Sequence, residues 1–404
     1  MRSTWNWVAG FTVSAAVMLM ASCAGDGTGD GGSSTLGDAD DTGDGDGDGD
    51  GDGDGDGDGD GEPAMPVTIT VFDEVVFYDG YAATVDEPVP EGVIRLRNSL
   101  LTTRLDDAEL DALQGTLKIG VIIGALCDNY DRIGSVNLAL VPKGDATYDP
   151  ASVDRIEIAR FITPFMDMNR DPKRVPYEWQ ADHLIPVFQD ASLRTDHDLW
   201  IELEVFGVPY AANTEVAGCD GRIDTQLGSL LLFSDSTASA PAFDTLVPVA
   251  VGESFNDYAD GASDAVGETK KTRAIELDAA AEQAQLVLIT SNHGANMGGE
   301  EYVRRDHFVY FDGDLVHQYK PGRTSCEPFR VYNTQGNGIY GPAPKSDAEW
   351  QSFSNWCPGD VIDTRIIELG PLEAGAHEFI IDVPDAEFAD DQGNFPFSLF
   401  LQAR

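Results

Sequence analysis

Beyond about residue 66 the chain alternates between short apolar or two-residue-periodic runs and turn residues. The runs are Val67–Phe72, Leu117–Ile123, Val136–Val141, Arg155–Ile162, Leu199–Phe206, Leu230–Phe233, Thr245–Val251, Ala284–Thr290, Phe308–Phe311, Phe329–Val331, Arg365–Leu369, Glu378–Val383 and Phe395–Leu401. Each is three to eight residues long, rich in Val, Ile, Leu and aromatics, which is the signature of half-buried strands. Asp-Gly pairs at Asp79-Gly80, Asp220-Gly221 and Asp312-Gly313, and Pro-Gly pairs at Pro321-Gly322 and Pro358-Gly359, punctuate them. Only Asp106–Leu113 and Asp278–Gln285 carry a helical pattern, and both are short. Many short strands separated by turns predict an all-β protein of sandwich or jelly-roll architecture. About 340 residues suit two domains of about 150. The small, polar stretch Ser234–Phe243 is the expected boundary, giving domains of 66–240 and 241–404.

The first 65 residues follow other rules. Arg2 precedes a mostly apolar run from Trp5 to Met20, which ends in Met20-Ala21-Ser22-Cys23. A run this short, closing on small residues, predicts an export signal over residues 1–23 rather than a spanning helix. Met-Ala-Ser-Cys resembles the lipobox of bacterial lipoproteins, which implies acylation at Cys23 and a lipid anchor in a membrane, the outer membrane or cell surface. An ordinary cleaved signal with an incidental cysteine is the alternative. Residues 24–65 form a linker, in which Gly43–Gly61 is an unbroken Gly-Asp alternation. With nothing apolar to bury it cannot offset the entropy of ordering, so it is expected to be a disordered, self-repelling tether. About 40 such residues span on the order of 35 Å. Weak calcium binding by the alternating Asp is an alternative, but the irregular ligand spacing of a calcium loop is missing.

Charge narrows the partners. The chain holds 71 acidic against 25 basic side chains, a net charge of −46. Fifteen of the acids lie in Ala24–Pro63, so the body is acidic in its own right. Nucleic acid and anionic lipid surfaces are poor partners for such a field. Five cysteines are present, and Cys23 belongs to the export segment. Cys127, Cys219, Cys326 and Cys357 are an even number in an exported chain and predict disulfides, with three pairings open.

Several local patterns, in order, resemble the peptide N-glycosidase F family. They are Val67-Thr-Ile-Thr-Val-Phe72-Asp73, Cys127-Asp-Asn-Tyr130-Asp131-Arg132, Arg160-Phe-Ile-Thr-Pro-Phe165, Leu199-Trp-Ile-Glu-Leu-Glu204-Val-Phe206, Leu246-Val-Pro-Val249, Glu300-Glu301-Tyr302…His307 and Trp356-Cys357-Pro358-Gly359. The resemblance covers nearly all of Pro66–Arg404. It implies two side-by-side, eight-stranded antiparallel jelly rolls with a site between them. It also implies an amidohydrolase, working as a monomer without a cofactor, that cleaves the amide between asparagine and N-acetylglucosamine in N-linked glycoproteins or glycopeptides.

Such a reaction needs one carboxylate to take a proton and another carboxylic acid to give one, and no metal. Crowded carboxylates supply both forms near neutrality. The resemblance makes Asp131 the principal catalytic carboxylate, with Glu204 and Glu301 beside it. The resemblance leaves a one-residue ambiguity between Glu301 and Glu300. Arg132 would orient a carboxylate or an acetamide by a charge-assisted fork. Tyr130, Phe206, His293 and Trp356 would contact sugar, whose apolar ring face suits an aromatic surface. Each has a plainer fate: a turn-capping Asp131, a surface Arg132, a solvated face of Trp200, Glu202, Glu204 and Phe206, an exposed Glu301, and core packing of His293 and Trp356. The family also implies a Cys326–Cys357 disulfide, and with it Cys127–Cys219.

Two departures stand out. Trp350–Asn355 holds no arginine where the family has a functional one, and Gly299 and Val303 occupy the positions of a family cysteine pair. A family cysteine upstream of Cys127 is missing as well. A catalytically inactive glycan- or protein-binding module on the same fold is therefore the alternative function. A copper monooxygenase would need clustered histidines, and the six here (His183, His197, His293, His307, His317, His377) include no His-x-His pair. No Gly-x-Ser-x-Gly elbow or phosphate-cradling glycine loop is present.

Overall fold

The structure is a computed structural model that describes residues 66–237, 242–254, 264–294, 300–336, 339–352, 354–388 and 393–404. The export segment, Cys23, the Gly-Asp tether, Gly299 and residues 238–241 of the expected boundary lie outside the described residues.

In chain order the strands are β1 (Val67–Tyr78), β2 (Val93–Arg97), β3 (Leu100–Arg104), β4 (Thr116–Ala125), β5 (Ile133–Pro142), β6 (Asp154–Ile162), β7 (Arg174–Gln180), β8 (His197–Val205) and β9 (Asp224–Asp235). There follow β10 (Thr245–Ser254), β11 (Lys270–Leu277), β12 (Ala281–Thr290), β13 (His307–Phe311), β14 (Asp314–Tyr319), β15 (Val361–Ile362), β16 (Thr364–Leu372), β17 (Gly375–Asp382) and β18 (Pro396–Ala403). They form four sheets, ordered β1-β9-β4-β7, β15-β6-β5-β8-β3-β2, β10-β18-β12-β16 and β11-β17-β13-β14. Among the described residues all strand-to-strand pairings are antiparallel, and β15 alone crosses from the second half into a sheet of the first. The result is two jelly-roll sandwiches, the second with eight of the described strands and the first with nine of its own, one more than the eight expected, plus β15 added at an edge.

Each sandwich has its own core. Phe72, Phe77, Ile119, Val121, Leu138, Ile156 and Phe161 belong to the first, and Ile275, Leu286, Leu288, Phe379, Ile381, Phe397 and Leu399 to the second. Strand alternation sends neighbouring residues to opposite faces. In β12 and β18 the second face is not solvated: Val287 and Phe400 join the first core. All eight residues of β18 are consequently buried, the polar Ser398 and Gln402 included. Both polar groups are used at the junction, Gln402 donating to the His183 carbonyl at 2.7 Å and Ser398 to Glu157.

Local readings held where chemistry was local. Asp312 and Gly313 both have positive φ and join β13 to β14 as a two-residue hairpin turn, which Asp-Gly favours. Asp107–Ala112 is a helix opened by a reciprocal Asp106/Glu109 capping box. Two readings are overturned. Asp278–Gln285 is not helical: Ala281 begins β12, where Ala284 faces Ala403 and Gln285 faces Gln402, so sheet pairing overrides alanine's helix propensity. Phe329–Val331 is not a strand but part of a 3₁₀ helix, Glu327–Tyr332, started by Pro328 and held by Arg330 donating to the Tyr340 and Gly341 carbonyls. Ser234 and Asp235, taken as the start of the boundary, still belong to β9, where Ser234 faces Val67 and Leu117.

Candidate active site

The loop between β4 and β5 carries Asp131, and its shape is fixed by Asp128, three residues beyond the end of β4. The buried Asp128 carboxylate accepts from the Tyr130 and Val208 amides (3.1 and 2.8 Å) and from Arg132 Nε and Nη2 (2.7 and 3.2 Å). A Cys127–Cys219 disulfide ties the loop's base to the segment ahead of β9. On the far side Thr163 clasps Arg132, with the Arg132 amide donating to Thr163 Oγ1 and the Thr163 amide to the Arg132 carbonyl, both at 2.8 Å. With its neighbours pinned in this way, Asp131 is turned toward the junction of the two sandwiches.

The second sandwich meets it there with Glu301, in a 3₁₀ turn at Glu300–Tyr302. Asn355 holds that turn, donating through Nδ2 to the Glu300 and Glu301 carbonyls at 2.5 and 2.9 Å. The one-residue ambiguity resolves by geometry. Glu300 is fully buried, paired with Arg305 at 2.8 Å and accepting from the Glu387 amide at 2.6 Å, whereas Glu301 lines a cavity. Glu301 accepts from the Gly294 amide at 3.2 Å and from the Tyr302 hydroxyl.

That cavity holds about 270 Å³ and is lined by Asp131, Arg132, Ile133, Ile162, Phe206, His293, Glu301 and Trp356. Its electrostatics are unusual. Burial, and then the nearby Glu301, push the Asp131 carboxyl up to about 7, with Arg132 opposing the rise. Burial also raises Glu301. Arg132 cannot neutralise the pair fully, because its guanidinium is already forked onto Asp128. His293 is pushed down to about 3 by burial and by Arg160, so its imidazole is neutral. Its Nε2 sits 2.8 Å from Ser291 Oγ, and its ring lies 5.5 Å from Trp356, whose Nε1 donates to the Asn292 carbonyl at 2.9 Å. Two acids of perturbed pKa in one crowded cavity can together hold one proton near neutrality and offer both an acid and a base.

The remaining candidates fall elsewhere. Tyr130 is exposed on the loop, its ring 5.7 Å from Phe165 and under the Arg132 guanidinium at 5.6 Å, and is not one of the lining residues. Glu204 does not line the cavity. It sits in an adjoining groove of about 330 Å³ that shares Ile133 and Phe206 with it, and is paired with Arg97 at 2.6 Å. Burial raises its pKa, opposed by Arg97. The face it shares with Trp200 and Glu202 is not solvated either. Tyr148 covers it, donating to Glu202 at 2.8 Å, while Arg155 and Asn137 take up the rest of that carboxylate. Cys326 and Cys357 form the second disulfide, buried beside Phe165, Tyr340 and Trp350. Arg304 reaches into the arginine-free stretch Trp350–Asn355 from another segment and donates to the Ser354 and Trp350 carbonyls at 2.8 Å, without lining the cavity. Sequence reasoning missed Ile133 and Ile162, the apolar walls, and Asn355, the clamp on Glu301. Nothing in their local pattern marks them.

Models of the two halves of peptide-N-glycosidase F match this chain, the N-terminal one over residues 68–223 and the C-terminal one over 262–402. The chain belongs to the peptide-N-glycosidase F family. No curated protein matches it. A solved structure of PNGF-II is similar over 84% of this chain and 65% of its own, at 20% identity and a TM-score of 0.61. The chain therefore spans less than two thirds of that relative. PNGase F, a glycosylasparaginase from Flavobacterium meningosepticum, is similar over 84% of this chain and 96% of its own, at 15% identity and a TM-score of 0.51. At such identities these likenesses speak for the fold alone. Within a peptide-N-glycosidase F fold, the cavity holding Asp131 and Glu301 is built by both sandwiches, so neither half has it alone.

Proposed function

We propose that the chain hydrolyses the amide between an asparagine side chain and N-acetylglucosamine in N-linked glycoproteins or glycopeptides. The observation that carries this reading is the pair Asp131 and Glu301, brought from two sandwiches into one cavity with the Asp131 carboxyl pushed up to about 7. A water between them would lose a proton to whichever member of the pair is ionised as its oxygen bonds to the asparagine carbonyl carbon. The other member, protonated, would give its proton to the glycosyl nitrogen as the C–N bond breaks. The products are an aspartate and a glycosylamine, and the pair ends with the same number of protons it began with. Arg132, held by Asp128, limits the repulsion between the acids. His293, Trp356 and Phe206 supply a neutral, largely aromatic wall suited to a sugar ring. Glu204, one groove away, is assigned to substrate positioning rather than proton transfer.

Incubating the full chain with an N-glycosylated peptide tests this. Release of the intact glycan, with Asn converted to Asp, is expected. Asp131→Asn and Glu301→Gln are each expected to slow it on the order of 10²- to 10⁴-fold while leaving the protein folded. Full activity in both variants would sink the site. The second reading, a glycan-binding module without turnover, is favoured by the missing arginine before Trp356, and oligosaccharide binding without release would select it.

We also propose that the protein is exported and anchored by acyl chains on Cys23, at the outer membrane or cell surface. The apolar run that stops at Cys23 and the two disulfides support this. Cys23→Ser should move the protein from the membrane fraction to the soluble one; unchanged partitioning would refute the anchor.

A further inference from the structure

Three aromatic rings stand together at one side of the cavity. Phe206, part of its lining, meets Tyr81 edge-on at 5.1 Å, and Tyr81 and Tyr210 lie nearly parallel 6.5 Å apart. Tyr81 is 73% exposed and Tyr210 58%. The backbone at Tyr81 and the Tyr210 ring are nonetheless held in place. The buried Asp79 carboxylate accepts from the Tyr81 amide at 3.0 Å and hydrogen-bonds the Tyr210 side chain. The buried Asn98 fastens the same loop, donating to the carbonyls of Asp79 and Ala83 at 2.8 and 3.1 Å. Gly80 lies flat on Phe206, where an added Cβ would fall 2.5 Å from the ring. Ordering these tyrosines therefore costs little on binding, which is how rigid aromatic anchors gain affinity.

The backbone around them is committed. The amides of Tyr78, Asp79, Gly80 and Ala82 donate to Asn98, Ile223, Gly207 and Asp79 carbonyls at 2.8 to 3.1 Å. An extended peptide, which binds largely through main-chain hydrogen bonds, finds these four amides already taken. A sugar ring needs only a flat apolar surface and a wet rim. We propose that Tyr81 and Tyr210 form an outer sugar-binding subsite that receives a pyranose of the glycan beyond the first two sugars from asparagine. The subsite rests on the glycan-cleaving reading for its substrate, and continues the aromatic wall that Phe206 begins.

The test uses the full chain, Tyr81→Ala, Tyr210→Ala and the conservative Tyr81→Phe. The probes are chitobiose and a free N-glycan core oligosaccharide, each titrated by calorimetry, and glycopeptides bearing either glycan, assayed for release. Each alanine variant is expected to weaken the longer oligosaccharide about three- to tenfold and leave chitobiose unchanged. KM for the longer glycopeptide should rise by the same factor with kcat constant, and Tyr81→Phe should behave as wild type. Equal loss for both glycans, no loss, loss that follows peptide length instead, or no oligosaccharide binding by wild type would each overturn the subsite. Selective weakening without any turnover would keep the subsite and refute the amidase. Turnover with unaltered variants would do the reverse.

Discussion

Two places where the sandwiches meet bury acidic groups on opposite terms. In the seam, Glu157 and Arg160 are each about 2% exposed and joined by a forked ion pair at 2.6 and 2.7 Å. Arg160 also donates across the junction to Ser291 Oγ and the Pro396 carbonyl at 2.9 and 2.8 Å, and Ser398 donates to Glu157. Every charge there has a partner, and the seam is a fastening. In the cavity, Asp131 and Glu301 face each other with one nearby guanidinium already engaged by Asp128. Among the described residues no second cation reaches the pair, so a shared proton relieves the repulsion that the Gly294 and Tyr302 hydrogen bonds to Glu301 leave. The same junction thus yields structure where burial is compensated and proton-transfer chemistry where it is not.

Breaking the seam should produce the largest change. Arg160→Met strands Glu157 in the interior and severs the cross-junction bonds, and is expected to cost about 3–5 kcal/mol in urea denaturation. Adding Glu157→Gln should recover part of that loss. A cost near zero would show that the pair is not the fastening described.

A smaller, pH-dependent effect is expected in the cavity. The folded Asp131 carboxyl, at about 7, holds its proton more tightly than the unfolded chain does. Its contribution to stability is therefore full below the ordinary carboxylate range near 3.8 and is lost as pH rises through about 7. Asp131→Asn carries no such charge, so its Tm relative to wild type should climb between pH 4 and pH 8. A gap that stays constant, or narrows, would contradict the assigned shift. The smallest change is expected on replacing only the neighbour. Glu301→Gln removes the repulsive charge, so the Asp131 pKa should fall from about 7, while burial keeps it above the usual range; NMR titration of the carboxyl reads this directly.

How much of this was legible in the sequence depends on position within each sheet. Of the six strands missed, five (β2, β7, β11, β14 and β15) lie at sheet edges. Edge strands carry charge and proline to discourage further pairing, and Arg174-Val-Pro-Tyr-Glu-Trp-Gln180 shows both while still alternating exposed and buried residues. The sixth, β3, forms a hairpin with β2 and reads as a polar continuation of it. In the site, Asp131, Arg132, Glu301, His293, Trp356 and Phe206 were named from the family resemblance, and one cavity is lined by all six. Glu204 was placed with them and lies one groove away. From its strand alone it looks the same as Glu202, and only the partners across the sheet, Arg97 for one and Arg155, Asn137 and Tyr148 for the other, tell them apart.

By itself the sequence determined the all-β class, the Asp-Gly hairpin at Asp312-Gly313 and the capped helix after Asp106. These depend on residues within a few positions of one another, where side-chain period and turn chemistry act directly. It also supplied the acids. Which acids share a cavity, which one takes an arginine, and that Ser398 and Gln402 of an apolar strand serve the junction were decided only by tertiary structure. The shared cavity of Asp131 and Glu301, the Glu204–Arg97 pair and the junction bonds of Ser398 and Gln402 turn on groups more than a hundred residues apart, and desolvation and pairing exist only once the fold has brought such groups together.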